Sequence, residues 1–324
     1  MAKVLINDPV AQIARKLLKA AGHQVDENHR TLDELSNGAL AEFDAVLIRS
    51  ATEITGPAIE SGSQGELKVI GRAGVGIDNI DMTAATHFGI IVVNSPAAST
   101  QAVAELTMGH LLSCARMIPR ASGTIKAGEW QKKNFTGHEL SENHLGLVGY
   151  GRIARKVASL AKAFGMTIHA FDPFLPADAF DAEVVAHENL IDMARHCTHL
   201  SMHCSLTTET RHIIDERVFN ALAECDGPAV LINCARGGLI DEDAALTALE
   251  NGQLDACAFD VFDEEPFDPN HPLPKHENFI GTPHIGAATK ESQERVAVQT
   301  VEALLAALNG MPGLGWVNKP AESM

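Results

Sequence analysis

The chain is short of positive charge, of long apolar runs and of paired cysteines, and each shortage removes a class of function. Lys and Arg number 25 against 42 Asp and Glu, giving a formal net charge of −17 and a pI near 5.2. Such a surface repels phosphate backbones and anionic membranes, which argues against nucleic acid or a membrane as partner. Any anionic small molecule must then be held by locally placed Arg or Lys. No stretch approaches the roughly 18 apolar residues of a membrane span. The apolar run after Lys3 in MAKVLINDP is too short for a signal-peptide core, so the expected location is the cytoplasm. The six cysteines (Cys114, Cys197, Cys204, Cys225, Cys234 and Cys257) form no C-x-x-C pair, and several lie in apolar runs such as VLINCA. They read as reduced core thiols of an intracellular protein.

What is present is the material of a soluble globular chain: 45% hydrophobic residues, 26 Gly, 14 Pro and a mean hydropathy near zero. A length of 324 residues exceeds one ordinary hydrophobic core, so two domains are expected. The first third alternates short β-branched runs with helical patterns, as in a parallel sheet covered by helices. Strands are predicted at 4–7, 45–50, 67–74 and 90–96, each bounded by Gly, Pro, Asn or Ser. After the first, Val10, Ile13, Ala14, Leu17, Leu18 and Ala21 share a helical face that ends at Gly22. A long helix is predicted from Ser99 to Met117, with Val103, Leu106, Thr107, His110, Leu111 and Cys114 on one face, and it has the length to cross between domains. Residues 144–173 then read strand, glycine turn, helix, strand, the span of one βαβ unit. Further strands are predicted within 198–204, 229–235, 256–262 and 278–284, and a helix from Asp241 to Leu249, capped by Asp241.

The glycine turn is Gly149-Tyr150-Gly151-Arg152-Ile153-Ala154, a G-x-G-x-x-A sequence. Glycines there allow a tight turn and close approach of backbone amides to a pyrophosphate, and the helix N-terminus beneath favours negative charge. Alone this motif is a weak signal. Context strengthens it: an apolar strand precedes it, an amphipathic helix follows, and Asp172 stands 18 residues after Ala154 at the end of the next strand. A carboxylate there can take the adenosine ribose hydroxyls, although Asp172 also reads as a turn residue before Pro173. It would repel a 2′-phosphate, and Pro173-Phe174 supplies no adjacent Arg to hold one, so NAD is expected over NADP.

Three later segments put polar residues at strand ends: Asn233-Cys234-Ala235-Arg236-Gly237-Gly238, Asp260 to Pro266, and Thr282-Pro283-His284-Ile285-Gly286-Ala287. In a doubly wound sheet the carboxyl ends of strands converge on the cofactor crevice. Reduction of a 2-oxo acid needs a cation for the carboxylate, a proton donor for the carbonyl oxygen, and a group that tunes the donor. Arg236, His284 and Glu265 supply one of each, Arg236 because its fork matches a carboxylate and Glu265 because a carboxylate beside His284 favours the imidazolium. Each also has a plain structural reading: a solvated loop arginine, a helix start before Pro266, and a capped turn after Pro283.

Taken in order, VIGRAGVGIDNID (69–81), the glycine turn with its acid, the run at 231–246, FDVFDEEP (259–266) and TPHIGAAT (282–289) resemble the D-isomer-specific 2-hydroxyacid dehydrogenases over nearly the whole chain. The resemblance implies an α/β chain with a Rossmann dinucleotide-binding domain (99–287) and a flavodoxin-like substrate domain (1–98 with 288–324), both with parallel sheets. It makes Arg236 the substrate-carboxylate arginine, Glu265 the histidine's partner and His284 the acid/base. It gives the cofactor Gly149, Gly151, Arg152, Ile153 and Asp172, with Cys234, Ala235, Asp260, Gly286 and Ala287 on the nicotinamide side. Substrate would bind between the two domains, which would close on it. The family also implies pairing of two subunits through 99–135, hence a homodimer at least.

Among branches of that family, RAGVGIDNID, GEWQKKNFTGHEL and NCARGG most resemble the phosphoglycerate dehydrogenases, in which residues at the positions of Arg49, Arg72, Gly74, Val75 and Lys132 contact substrate, the last from the neighbouring subunit. Departures are Glu53 where some members carry Lys, Ser205 for the usual Pro of an H-T-P segment, and Ala98-Ser99 for Gly-Asn. With the chain ending near residue 324, the regulatory C-terminal domain of many such enzymes, and serine feedback through it, are not expected. Glyoxylate, hydroxypyruvate and sulfonated or phosphonated hydroxy acids are the alternative substrates. A dinucleotide-sensing corepressor-like scaffold is the alternative of another class. Formate dehydrogenases pair the histidine with Gln, and Glu265 speaks against them. His196, Cys197, His199, His203 and Cys204 crowd one segment, but a strand alternates its faces and no finger spacing appears, so core and cleft packing is expected there and no metal.

Overall fold

The structure, a computed structural model, describes residues 1–311, 313 and 315–318. The chain divides into two compact units, Met1–Ser99 with Ala287–Met324 and Thr100–Gly286. Of the tail expected in the substrate domain, residues 312, 314 and 319–324 lie outside the described residues.

The first unit is built from β1 (Lys3–Ile6), α1 (Gln12–Ala20), β2 (Gln24–Asp26), α2 (Leu32–Ser36), β3 (Ala45–Ile48), α3 (Gly56–Ser63), β4 (Val69–Arg72), α4 (Met82–His87) and β5 (Ile91–Asn94). Its five strands are all parallel in the order β2-β1-β3-β4-β5, the flavodoxin-like order. A sheet covered on both faces reads as continuous apolar runs, and AVLI of β3 is buried at every position. Leu35, Leu40, Phe43 and Ile59 pack on one face. Local starts are set by side chains: Thr31 and Glu34 form a capping box on α2, and Asp81 accepts the Ala84 amide at the start of α4.

The second unit holds α5 (Thr100–Arg116), α6 (Ile118–Lys126), β6 (His144–Val148), α7 (Arg152–Ala163), β7 (Thr167–Phe171), β8 (Val184–His187), α8 (Leu190–Arg195), β9 (His199–Met202), α9 (Glu216–Leu222), β10 (Val230–Asn233), α10 (Glu242–Glu250), β11 (Ala256–Phe259) and β12 (Phe279–Gly281). Seven parallel strands run β12-β11-β10-β9-β6-β7-β8, so the first strand of the unit is central and the order reverses beside it, as in a Rossmann sheet. Helices α5 and α7 cover one face around Leu145, Leu147, Val157 and Ile232. Helices α8, α9 and α10 cover the other around Leu200, Phe219, Leu231 and Phe259. The last helix, α11 (Lys290–Leu308), belongs to the first unit and buries Val296, Val301 and Leu304 against its sheet beside α1.

The predicted strands and the Asp241-capped helix are present, with ends within three residues of those expected. Two differences have plain causes. The strands β2 and β8 go beyond the predicted set: each is a short edge strand with exposed positions, so neither carries an apolar run. The pattern of the long helix predicts one buried face, yet Ala102, Ala104, Met108 and Ala115 are buried as well, so α5 is enclosed on most of its circumference.

Candidate active site

The central strand β6 ends at Val148 and the chain turns at Gly149, whose φ of 87° is left-handed. A Cβ there would lie 2.8 Å from the amide nitrogen of Cys204 and 2.9 Å from the carbonyl carbon of His203, both backbone. Glycine is therefore required twice, by conformation and by the chain leaving β9. Gly151 caps α7 without a side chain, and the space its Cβ would take is open, so the first amides of α7, those of Arg152 and Ile153, end on a bare helix N-terminus. That is a ready anion site. Asp172, directly after β7, accepts the amide of Tyr150 at 2.9 Å and that of Phe174 at 3.0 Å. The acid is thus tied to the glycine turn while keeping acceptor capacity for hydroxyls. Tyr150 is fully buried, donates to Asp181 at 2.5 Å and stacks under the Arg155 guanidinium, 4.4 Å from its ring centre. These residues fit a dinucleotide: an open cradle of amides for a pyrophosphate and a fixed carboxylate for a ribose.

The polar segments expected to carry the chemistry follow neighbouring strands β10, β11 and β12. Buried Asn233 ends β10 and holds the next turn from both sides. Its Nδ2 donates to the Arg236 carbonyl at 2.8 Å and its Oδ1 accepts the Ala235 amide at 3.0 Å. Arg236 donates through one guanidinium nitrogen to the Ala235 carbonyl at 2.6 Å. Gly237 then passes so close to the next loop that a Cβ would lie 1.7 Å from the Phe262 carbonyl oxygen. Cys234 beneath is buried, and burial together with the nearby Asp260 pushes its thiol up to about 12, so it lines the site without reacting.

Asp260, at the end of β11, is buried and fully used. Oδ1 accepts the Thr282 hydroxyl at 2.5 Å and the Ile285 amide at 2.8 Å, Oδ2 accepts the Gly286 amide at 2.7 Å, and its carbonyl accepts the His284 amide at 2.8 Å. It is the peg around which the His284 loop folds, and it holds His284 in the left-handed region at φ 52°. Such strain in a non-glycine residue persists only where surroundings over-determine it. His110 of α5 completes the set, its Nε2 lying 3.2 Å from the Thr282 hydroxyl. Sequence pattern does not reveal these roles of His110 and Thr282. A helix residue 172 positions from its partner leaves no local signal.

The outcome is that His284 Nδ1 lies 2.6 Å from Glu265 Oε2, both side chains partly exposed. Burial alone would raise the Glu265 carboxyl. The His284 hydrogen bond and charge, the Phe262 amide and the Arg236 charge outweigh it and hold Glu265 below the ordinary glutamate value. Glu265 is therefore an acceptor, Nδ1 carries the proton, and Nε2 is the atom left for exchange with a substrate. Glu265 and His284 thus form a direct pair, and the Arg236 charge acts on the same carboxylate.

In the other unit Arg49 follows the carboxyl end of β3 and Arg72 is the last residue of the paired strand β4, opposite Ile48. The Arg49 amide is held by buried Asp8 at 2.5 Å. A Cβ on Gly74 would lie 1.6 Å from an Arg72 guanidinium nitrogen, so Gly74 makes room for that side chain. The Val75 carbonyl accepts from Asn94 at 2.6 Å. Ala287 is partly exposed at the point where the chain passes from one unit to the other. Lys132 stands exposed on a short 3-10 turn, Lys132–Asn134. In the histidine-rich segment Cys197 and His199 are buried as expected, but His196 is exposed at the end of α8. The helix ends there, and the ring lies 5.6 Å from that of His187 and 6.4 Å from that of His169, centre to centre.

Two parallel α/β units, one with an amide cradle and a strand-end carboxylate at its topological switch point, define a dinucleotide-binding fold. Residues 108–286 match the family described as D-isomer specific 2-hydroxyacid dehydrogenase, NAD binding domain. The chain belongs to that family, and its second unit carries the family's NAD-binding domain. It is 43% identical over 323 residues to D-3-phosphoglycerate dehydrogenase of Methanocaldococcus jannaschii, covering 99% of this chain and 60% of that protein. It is 41% identical over 305 residues to hydroxypyruvate reductase of Thermotoga maritima, covering 93% of this chain and 97% of that protein. A Thermus thermophilus protein of known structure superposes with a TM-score of 0.86 at 32% identity, covering 98% of this chain and all of the other. The chain spans only 50–60% of the length of the phosphoglycerate dehydrogenases it matches.

Proposed function

We propose that this chain is an NAD-dependent dehydrogenase that interconverts a small D-2-hydroxy acid and its 2-oxo acid. The observation that carries the reading is the 2.6 Å His284–Glu265 contact with the Arg236 charge acting on the same carboxylate. The bound nicotinamide supplies the hydride for C2 of the oxo acid, or takes it back in oxidation. Arg236 holds the substrate carboxylate through two parallel hydrogen bonds and so fixes which face of C2 is presented. His284 Nε2 gives its proton to the oxygen forming on C2 and recovers it in reverse, while Glu265 keeps the ring turned and the proton on Nδ1. Gly149, Gly151, Arg152 and Ile153 hold the pyrophosphate and Asp172 the ribose, with a preference for NAD over NADP. Cys234, Ala235, Asp260, Gly286 and Ala287 border the nicotinamide.

The substrate assigned first is 3-phosphoglycerate with its oxo form, phosphohydroxypyruvate. Arg49 and Arg72 at adjacent strand ends suit a second anionic group, Gly74 and Val75 shape the loop beside them, and Lys132 reaches the same substrate from a neighbouring subunit of a homodimer. This reading places the protein in the cytoplasm, in serine biosynthesis. Hydroxypyruvate reduction is the second reading, because the Thermotoga relative aligns over nearly its whole length. Steady-state NADH oxidation with phosphohydroxypyruvate, hydroxypyruvate, glyoxylate and 3-sulfopyruvate separates the two. The first reading expects the highest kcat/KM with phosphohydroxypyruvate, and Arg72→Ala raising that KM by at least roughly tenfold while leaving hydroxypyruvate nearly unaffected. An equal or higher kcat/KM with hydroxypyruvate selects the second. No turnover with any oxo acid leaves the NAD-sensing scaffold.

A further inference from the structure

On the outer edge of the second unit, where His187 of the edge strand pairs with Phe171 just before Asp172, His187, Asp192 and His196 bring one ligand atom each to within 4.8 Å of one another. His187 ends the edge strand β8, Asp192 lies in the first turn of α8, and His196 closes that helix. We propose that these three side chains form a site for one divalent transition-metal ion of the zinc type, pinning β8 to α8.

The donor set decides the class of ion. Two imidazoles and one carboxylate suit zinc, nickel, cobalt or copper, whereas calcium and magnesium take oxygen ligands almost alone. A tetrahedral ion with ligands about 2.0–2.2 Å away has ligand atoms roughly 3.3–3.6 Å apart. His187 Nδ1 and Asp192 Oδ2 are already 3.2 Å apart. Asp192 and His196 are exposed, so their side chains can close the remaining distance by rotation. Three protein ligands leave a fourth position for water.

The surroundings prepare each ligand. The side chain of Asn189, which caps α8, accepts the Asp192 amide at 3.0 Å and fixes the backbone from which the carboxylate extends. His196 Nδ1 donates to the Asp192 carbonyl at 2.8 Å, so its Nε2 is a lone-pair donor. His187 is the least exposed of the three, its side chain 8% accessible, and its second nitrogen lies 2.9 Å from His169 Nδ1. His169 Nε2 lies in turn 2.9 Å from His144 Nδ1. A carboxylate only accepts, so without metal each ring of this file carries its proton on Nδ1 and donates toward Asp192. With a metal on His187 Nδ1, all three protons sit on Nε2, and every hydrogen bond of the file is kept with its direction reversed. The file can therefore free the Nδ1 lone pair of His187 by giving up only its hydrogen bond to Asp192, and hydrogen bonding of a ligand's other nitrogen is the support metal-bound histidines usually have.

The test uses the full chain, stripped with chelator and titrated with zinc chloride by calorimetry, beside His196→Ala and Asp192→Asn, both exposed and outside the catalytic and cofactor sets. Wild type is expected to bind one more equivalent of zinc than His196→Ala, and Asp192→Asn to bind it at least roughly tenfold more weakly. Zinc at a hundred times its Kd should raise the wild-type Tm by roughly 5 °C, and that of His196→Ala not at all. Both variants should melt with wild type in chelator, which excludes misfolding as the cause. Cobalt(II) should give the visible absorption of a tetrahedral site in wild type and not in His196→Ala. Isotherms and melting shifts that are the same in wild type and His196→Ala would overturn the proposal.

Discussion

Replacing Gly237 by alanine should disable the active site although no reacting group is touched. A Cβ at 237 would stand 1.7 Å from the Phe262 carbonyl oxygen, 2.2 Å from its carbonyl carbon and 2.9 Å from the Asp263 nitrogen, where real contacts essentially never fall under 3.0 Å. All three neighbours are backbone, so no side-chain rotation relieves the clash and the two loops must part by more than an ångström. One loop carries Arg236. The other carries Glu265, anchored by the Phe262 amide at 3.2 Å and bonded to His284. Misplacing such a set by about 1 Å costs on the order of a hundredfold in rate, and overpacking costs about 1–3 kcal/mol, a Tm loss of a few degrees. Steady-state NADH oxidation and a thermal melt measure both. The control is Gly313→Ala, outside the segment expected to pair subunits, where the added Cβ meets only the Ala306 Cβ at an ordinary 3.7 Å and activity should be unchanged. If Gly237→Ala kept kcat/KM within roughly threefold of wild type and the same Tm, the coupling of the two loops would be refuted.

Other consequences can be measured alongside it. Asp172 should make NAD the preferred cofactor, and Asp172→Ser should narrow the NAD:NADP ratio of kcat/KM by at least roughly tenfold, since like charges brought together cost several kcal/mol. A wild type that favours NADP would contradict this role. Asp260→Ala removes the acceptor for three donors of the His284 loop, and a buried network broken on one side costs about 3–5 kcal/mol, so both Tm and kcat should fall steeply. Retained kcat would show that the loop holds itself. Burial beside His138 pushes His199 down to about 3, so the native state keeps it neutral while the unfolded chain protonates it below its ordinary value of about 6.5. Its contribution to stability is complete above that ordinary value and is lost at roughly 1.4 kcal/mol per pH unit as pH falls toward 3. The melting curve of His199→Asn should therefore be flatter between pH 6 and 4 than that of wild type, and parallel curves would count against it.

Much of this organisation was legible in the sequence because the physics was local. Parallel strands buried on both faces leave unbroken runs such as AVLI and VLIN, and the turn after β6 announces itself by Gly149 and Gly151 with Asp172 at the following strand end. Arg236, Glu265 and His284 stood out as polar residues after successive strands, but it was the family resemblance, not position alone, that gave each an expected role. What escaped was set by contacts distant in sequence. Asp260 was expected on the nicotinamide side, but its grip on Thr282, Ile285 and Gly286 exists only once β11 and β12 lie side by side. Edge strands β2 and β8 escaped because exposed positions interrupt their apolar pattern. The grouping of His187, Asp192 and His196 spans a strand end and a helix and matches no fixed spacing.

Proton transfer by His284 is the central step of the proposed reaction. Purified protein with NADH and phosphohydroxypyruvate, hydroxypyruvate or glyoxylate should oxidise NADH, and His284→Ala should lower kcat by roughly 10²–10⁴-fold with its fold and NADH binding intact. Turnover by His284→Ala equal to that of wild type, or no turnover of any oxo acid by folded, NADH-binding wild type, would contradict it.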